Sequence, residues 1–326
     1  MSNQQLIVIL IILFVLVLIT LNLLSEKHYE HFNNRERISI SVFSIFKNNE
    51  NYLPYFFQMM ELFEKKYDMY YYFFENDSTD RTKELLENFM KNKKGKFVSK
   101  SLKQSLDSDV FNSDKGVDEK RGKKMAYIRN INKNMCSENN THYTIVIDSE
   151  VYFHDNIIEK MIESVEYKQI GMVTPYNVDY SAFNPEDSNS IPHYYDCLAL
   201  ITDKGISYKD NMNTCMFKGC LRCKEYRNEN NIKIDEERDT INIKNSEFIN
   251  VKSAFGGFVL LKSNIFNNVE WGPTICEHHH FCNKIIESGY KIIVDPLILT
   301  TTNKNDNESV DTELINQILN LDIRSM

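Results

Sequence analysis

Between Ile38 and Tyr176, short apolar runs rich in β-branched and aromatic residues alternate with longer segments whose apolar residues recur at helical spacing. Such alternation restricts a chain to an α/β fold with a mainly parallel sheet and helices on both faces, because each parallel crossover needs an element that covers the sheet. Ile38–Phe46 (ISISVFSIF), Met69–Phe74 (MYYYFF) and the short Lys96–Ser99 read as the first strands. A helix over Tyr52–Lys66 carries Leu53, Phe56, Phe57, Met60 and Phe63 on one face, and a second presents Leu85, Leu86 and Phe89. A basic helix, Arg121–Met135, leads into Tyr143–Ile147 (YTIVI), which stops at Asp148-Ser149-Glu150 before Val151-Tyr152-Phe153 resumes. A helix over Asn156–Tyr167 and a strand over Gly171–Tyr176 follow.

From Asn177 the periodicity weakens. Gly205–Asn250 is polar and charged, and is expected to form an excursion over the active-site face, since long irregular segments in compact domains are usually lids or binding loops. Phe255-Gly256-Gly257-Phe258 opens a strand to Lys262, the paired glycines permitting close backbone approach. Glu277-His278-His279-His280 opens a helix that Gly289 stops. Lys291–Val294 reads as a last strand ending at Asp295-Pro296, and an amphipathic helix starts near Thr312. The expected organisation is a membrane anchor (1–25), a polar stem (26–37), an α/β domain (38–303, with 205–250 as a variable excursion) and a helical tail (304–326).

Leu6–Leu24 sets the first of these boundaries: it is uncharged and long enough to span a bilayer, and it lacks the basic start and small-residue cleavage site of a signal peptide. Lys27, Arg35 and Arg37 follow the span and no Lys or Arg precedes it, which leans toward a cytosolic domain. Sequons at Asn139 and Asn307 offer a probe of a lumenal alternative, and a third falls at Asn76. The net charge of −8 argues against general nucleic-acid binding and fits a protein that recruits a divalent cation to hold an anionic substrate. The seven cysteines are too sparse for a disulfide scaffold. Their only cluster, Cys215-x4-Cys220-x2-Cys223, has no second pair nearby to complete four zinc ligands, so a local disulfide or free thiols are expected there.

The chemistry concentrates at Asp148 and Glu150. Ligands of open α/β sheets bind outside the carboxyl ends of strands, and two carboxylates one residue apart at such an end can meet on one Mg²⁺ or Mn²⁺. Arg121, Lys123, Lys124 and Arg129 on the preceding helix are candidates to face a diphosphate.

Several blocks in order then resemble a known family: LPYFF, YYYFFENDSTDRTKELL, KMAYIRN, IDSE, HYYDCLAL, FGGFVLLK, CEHHHFC and VDP. Over about Ile38–Thr302 the chain resembles GT-A-fold nucleotide-sugar glycosyltransferases, and among them the fungal capsule-associated α-1,3-mannosyltransferases and relatives. The resemblance implies a GDP- or UDP-sugar donor, a glycan, protein or lipid acceptor, and a Mn²⁺ or Mg²⁺ cofactor. It places Glu75, Asn76 and Asp77 against the nucleotide, Asp148 and Glu150 at the metal, and His278 as a further metal ligand or acceptor contact. Glu277 falls where inverting members keep their catalytic carboxylate; in a retaining member it would orient acceptor or sugar. The family pattern often has Asp where Asn76 stands, and Glu150 replaces a shorter Asp. Two other readings keep the fold: a sugar-phosphate nucleotidyltransferase, against which stands the absence of glycine from Lys47-Asn48-Asn49-Glu50, and a catalytically inactive binding module.

Overall fold

A computed structural model describes residues 37–102, 119–186, 190–207, 216–235, 239–244, 246–303 and 311–326. The expected anchor, most of the stem, Cys215, Asn307 and part of the excursion lie outside the described residues. Among those described, no helix is long and apolar enough to cross a membrane.

The chain runs β1 (Ser39–Phe46), α1 (Leu53–Lys66), β2 (Asp68–Glu75), α2 (Thr82–Met90), β3 (Gly95–Ser99), α3 (Glu119–Lys133), β4 (Tyr143–Ile147), β5 (Val151–Phe153), α4 (Ile157–Val165) and β6 (Ile170–Asp179). It continues through β7 (Ile201–Thr202), α5 (Leu221–Glu229), β8 (Ile249–Ser253), β9 (Phe258–Lys262), α6 (Ser263–Asn267), α7 (Glu277–Glu287), β10 (Lys291–Thr302) and α8 (Thr312–Leu319). One sheet has the order β3-β2-β1-β4-β9-β6-β10-β8-β7, with β5 on the far part of β10. Strands β3, β2, β1 and β4 are mutually parallel, as are β6 and β10, and β9 is antiparallel to both its neighbours. The fold is thus mixed α/β with a largely parallel centre. Ser39–Met326 forms one compact unit, α8 included.

The central strands form where expected because buried parallel strands read as nearly continuous apolar runs. Helix α1 turns Leu53, Phe56, Met59, Met60 and Phe63 into the core, and Phe57 stacks on Phe89 with ring centroids 4.3 Å apart. Two expectations need correction. β10 does not end at Asp295-Pro296 but runs on to Thr302. Proline has no N–H for the ladder, and the chain accommodates it with a register shift between Asp295 and Leu299, where the Asp295 carboxylate accepts from Leu297 N at 2.9 Å and Ser164 Oγ at 2.6 Å. Beyond the shift, Thr300–Thr302 pair with both β6 and β5.

The second correction concerns the excursion. Its described parts hold α5 and the start of β8, and bury Met216, Phe217, Cys220, Cys223 and Ile243 in the main hydrophobic cluster.

Candidate active site

A cleft of about 690 Å³ runs along the carboxyl edge of β2, β1 and β4, where Asn76, Lys47 and Asp148 are the first residues past the three strands. This is where open parallel sheets bind ligands. Of the expected residues, Asn76, Arg129, Asp148, Glu150, Glu277 and His278 line it.

Asp148 is held from two sides. Its N–H donates to the Gly257 carbonyl at 2.8 Å, and its Oδ1 accepts from Arg129 Nη2 at 3.3 Å. Gly257 has φ +70°, and a Cβ there would stand 2.7 Å from Val151 Cγ2, so only glycine brings this backbone against the strand end.

Arg129 is the hub. Buried to 4% exposure, it donates from Nε to Glu277 Oε1 at 3.0 Å as well as to Asp148, and its guanidinium lies 4.7 Å from the Phe255 ring centroid. Burial pulls its pKa down, but the two carboxylates outweigh that and hold it above the usual value. Glu277 opens α7 after the extended Cys276. His278 Nε2 approaches the same Glu277 oxygen at 3.3 Å, while Nδ1 lies 3.4 Å from Trp271 Nε1 and the ring stacks 3.8 Å from Phe255. An indole N–H only donates, so Nδ1 accepts and Nε2–H donates to Glu277; a neutral imidazole satisfies both. Burial would push the Glu277 carboxyl up, yet His278 and Arg129 on Oε1 outweigh it and hold the group well below the usual carboxylate range. Glu277 is therefore held in its carboxylate form by the groups bonded to Oε1. His278, expected as a further metal ligand, has both ring nitrogens committed.

Two expected nucleotide contacts sit elsewhere. Glu75, 2% exposed, accepts from Ser78 N at 2.7 Å and Ser99 Oγ at 2.6 Å. Asp77, in the left-handed region at φ +56°, accepts from Ser101 Oγ at 2.7 Å and Leu102 N at 3.0 Å. Neither lines the cleft. Both shape the loop that presents Asn76, whose N–H donates to the Phe46 carbonyl at 3.2 Å. The sequon at Asn139 is no glycosylation probe: the side chain is 5% exposed and bonded to Ser41 and Thr144, out of reach of any modifying enzyme in the folded state.

The loop after β1 is tied down by side chains. The N–H groups of Lys47, Asn48, Asn49 and Glu50 donate to Asn49 Oδ1, Ser78 Oγ, Thr82 Oγ1 and Asp80 Oδ2 at 2.7–3.1 Å. None of these four amides is left to cradle a triphosphate.

The donor set fits a hard divalent cation. Asp148 commits Oδ1 to Arg129, and Glu150, two residues on, lines the same cleft, so oxygen donors of the kind such a cation takes stand past one strand end. Lys47, Arg121, Lys124 and Arg222 of α5 line the cleft as well. Sequence reasoning assigned no role to Asp196, although its block was singled out. It lines the cleft with Oδ2 accepting from Gly256 N at 3.0 Å, beside Tyr195. Phe255, whose ring stacks on His278 and lies under Arg129, and Trp271, which donates to His278, were also missed; their role comes from packing that no local pattern encodes.

No protein-family model matches the chain, and no curated protein sequence is significantly similar to it. Among solved structures, it is similar to mannosyltransferase PcManGT from Pyrobaculum calidifontis in complex with GDP-Man and Mn²⁺, with TM-score 0.46 and 11% identity over 83% of this chain. It is also similar to GalNAc-T7 with UDP, GalNAc and Mn²⁺ (TM-score 0.47, 12% identity, 82% of this chain). A third is the inositol-1-phosphate CTP transferase from T. maritima (TM-score 0.43, 8% identity, 89% of this chain). The chain spans 59% of the length of the first, 44% of the second and 97% of the third. Likeness at this level says nothing of substrate or chemistry.

Proposed function

We propose that this protein is a GT-A-like glycosyltransferase that moves a sugar from a nucleoside-diphosphate donor to a hydroxyl acceptor with the help of a divalent cation. One observation carries the reading: Asp148 and Glu150 share a cleft with Lys47, Arg121 and Lys124 at the carboxyl edge of parallel strands. That is the charge pattern needed to hold a diphosphate, and the cation together with the basic groups would stabilise the negative charge left when the sugar–phosphate bond breaks.

In this reading Asp148 and Glu150 hold Mn²⁺ or Mg²⁺, and Asn76 faces the nucleoside. Arg121 and Lys124 on α3 face the diphosphate. Arg129 ties Asp148 to Glu277 in the cleft. Glu277 accepts a hydrogen bond from an acceptor or sugar hydroxyl without taking its proton, because its charge is already matched by Arg129. This favours an orienting role over that of general base. A mannosyl donor and a retaining course remain the finer form of the proposal. The bonded loop after β1 weighs against a nucleotidyltransferase, which has to bind a triphosphate there. Leu6–Leu24 is proposed as the anchor, and a chain starting near Arg35 should turn over donor as the full chain does.

The test is calorimetric titration of GDP and UDP with and without Mn²⁺, followed by sugar release from the matching donor. Mn²⁺-dependent binding lost in Asp148→Asn supports the reading. Wild-type protein that binds neither nucleotide in the presence of Mn²⁺ refutes it, and binding without turnover on any sugar donor leaves the inactive module.

A further inference from the structure

Beside the cleft, which His193 lines, the fold brings this histidine against Cys220 and Cys223, 27 and 30 positions further along the chain. His193 precedes Tyr194, whose ring is fully buried against Tyr176 and Phe217 at centroid distances of 5.3 Å. Cys220 is the N-cap of α5 and Cys223 lies in its first turn, and both are buried. His193 Nδ1 lies 3.7 Å from Cys220 Sγ and 3.3 Å from Cys223 Sγ. The three donor atoms are all within 4.8 Å of one another.

Hydrogen bonding does not account for this arrangement. Nδ1 of a neutral imidazole has either one lone pair or one proton, so it can bond to one sulfur but not to both. A single cation satisfies all three atoms at once. Ligands on a tetrahedral zinc, with Zn–S of about 2.3 Å and Zn–N of about 2.0 Å, stand roughly 3.5–3.8 Å apart. The observed N···S separations are near those edges before any metal enters.

We propose that His193 Nδ1, Cys220 Sγ and Cys223 Sγ bind a zinc ion that staples the loop at 190–198 to α5. Binding converts both thiols to thiolates and releases two protons to solvent, with no redox change. Soft sulfur donors select zinc here, while the oxygen donors of Asp148 and Glu150 take the hard cation, so the two sites do not compete for one metal. With Nδ1 on the metal, Nε2 carries the proton and faces Cys197 Sγ at 3.8 Å, a contact that orients the ring. The staple bears on the cleft because Tyr195, Asp196 and Leu198 follow His193 along its wall and Arg222 stands between the two cysteines.

The test uses the whole chain, purified under reducing conditions without added metal. Elemental mass spectrometry should find one zinc per chain in wild type and in Asp148→Asn, and less than a tenth of that in Cys223→Ser and His193→Ala. Exchange into Co²⁺ should give thiolate-to-metal charge-transfer absorption with the intensity of at least two thiolates. That spectrum is read on wild type and so decides the question even if a variant fails to fold. Alkylation mapped by mass spectrometry should mark Cys220 and Cys223 only after a chelator is added. A wild-type chain that takes up neither zinc nor cobalt saturably, a cobalt spectrum without thiolate bands, or a Cys220–Cys223 disulfide in the reduced preparation would each overturn the proposal.

Discussion

Two polar clusters border one cleft and are held together by different means. Around Arg129, two carboxylates share one guanidinium within the protein, with Phe255 packed on Arg129 and Trp271 bonded to His278. Around His193, two cysteine sulfurs and an imidazole nitrogen lie within 4.8 Å of one another, the set proposed above to share a zinc ion. The first cluster is bonded within the protein; the second, on the proposal above, is tied together by a metal taken from solution. The contrast is between buried ion pairs that the fold itself supplies and soft donors that a ligand joins.

The largest effect should come from breaking the self-sufficient cluster. Arg129→Ala strands Asp148 and Glu277, and removing one partner of a buried ion network costs about 3–5 kcal/mol, read as a drop in urea midpoint at constant slope. Arg129→Lys should recover only part of this, because an ammonium does not span both carboxylates as the guanidinium fork does. A midpoint unchanged in Arg129→Ala would show that the network is not what holds this wall.

At the other cluster, a zinc-selective chelator should lower the wild-type stability, read from the urea midpoint, by as much as about 4 kcal/mol, the linkage expected for a metal held at a thousandfold over its Kd. The same chelator should leave Cys223→Ser unmoved. Equal sensitivity of the two proteins would erase the contrast between the clusters.

Acid tests the same distinction. The folded-state pKa of Glu277 lies below its unfolded value, so the stability it contributes is fully present above about pH 5 and is lost as pH falls through the unfolded value of about 4.3 toward the folded one. Stability measured from pH 6 down to pH 3 should therefore fall more steeply in wild type than in Glu277→Gln. Parallel curves would mean that the carboxylate is not paired as described.

Asp148→Asn keeps the shape at the strand end and removes a charged oxygen donor. Mn²⁺-dependent nucleotide affinity should fall by at least about tenfold, or about 1.4 kcal/mol, with the zinc content unchanged. The smallest effect is expected from Phe255→Leu, which keeps an apolar side chain but removes the faces that Arg129 and His278 pack on. A loss of about 1 kcal/mol in stability is expected, with donor affinity less affected than in Asp148→Asn.

Much of the N-terminal half was legible. Ile38–Phe46 and Met69–Phe74 were read as strands, and β1 and β2 fall within a residue of those limits, because central parallel strands are apolar on both faces and the signal is local. The stop at Asp148 was equally clear, as was the helix opening at Glu277. The segment from 205 to 250 was read as a polar excursion for an understandable reason. Helix α5, LRCKEYRNE, buries only Cys223 and Arg227, and β8, INVKS, buries alternate residues, so neither carries enough apolar signal to stand out from a loop. Pro296 misled in the opposite direction: it ended a strand on paper that in the fold bends around it and pairs again.

The sequence by itself determined the α/β architecture, the parallel strands whose ends frame the cleft, and the carboxylates at 148, 150 and 277, since each is signalled by residues within a few positions of one another. Only the tertiary structure decided how these groups are charged and what they face. Arg129 reaches Glu277 across 148 positions, and His193 meets Cys220 across 27. Glu75 and Asp77, acidic like Asp148 and also at a strand end, turn out to brace their own loop. Composition and spacing specify a backbone path, but the protonation and partners of a buried group are set by the few atoms within hydrogen-bond distance, and those arrive from anywhere in the chain.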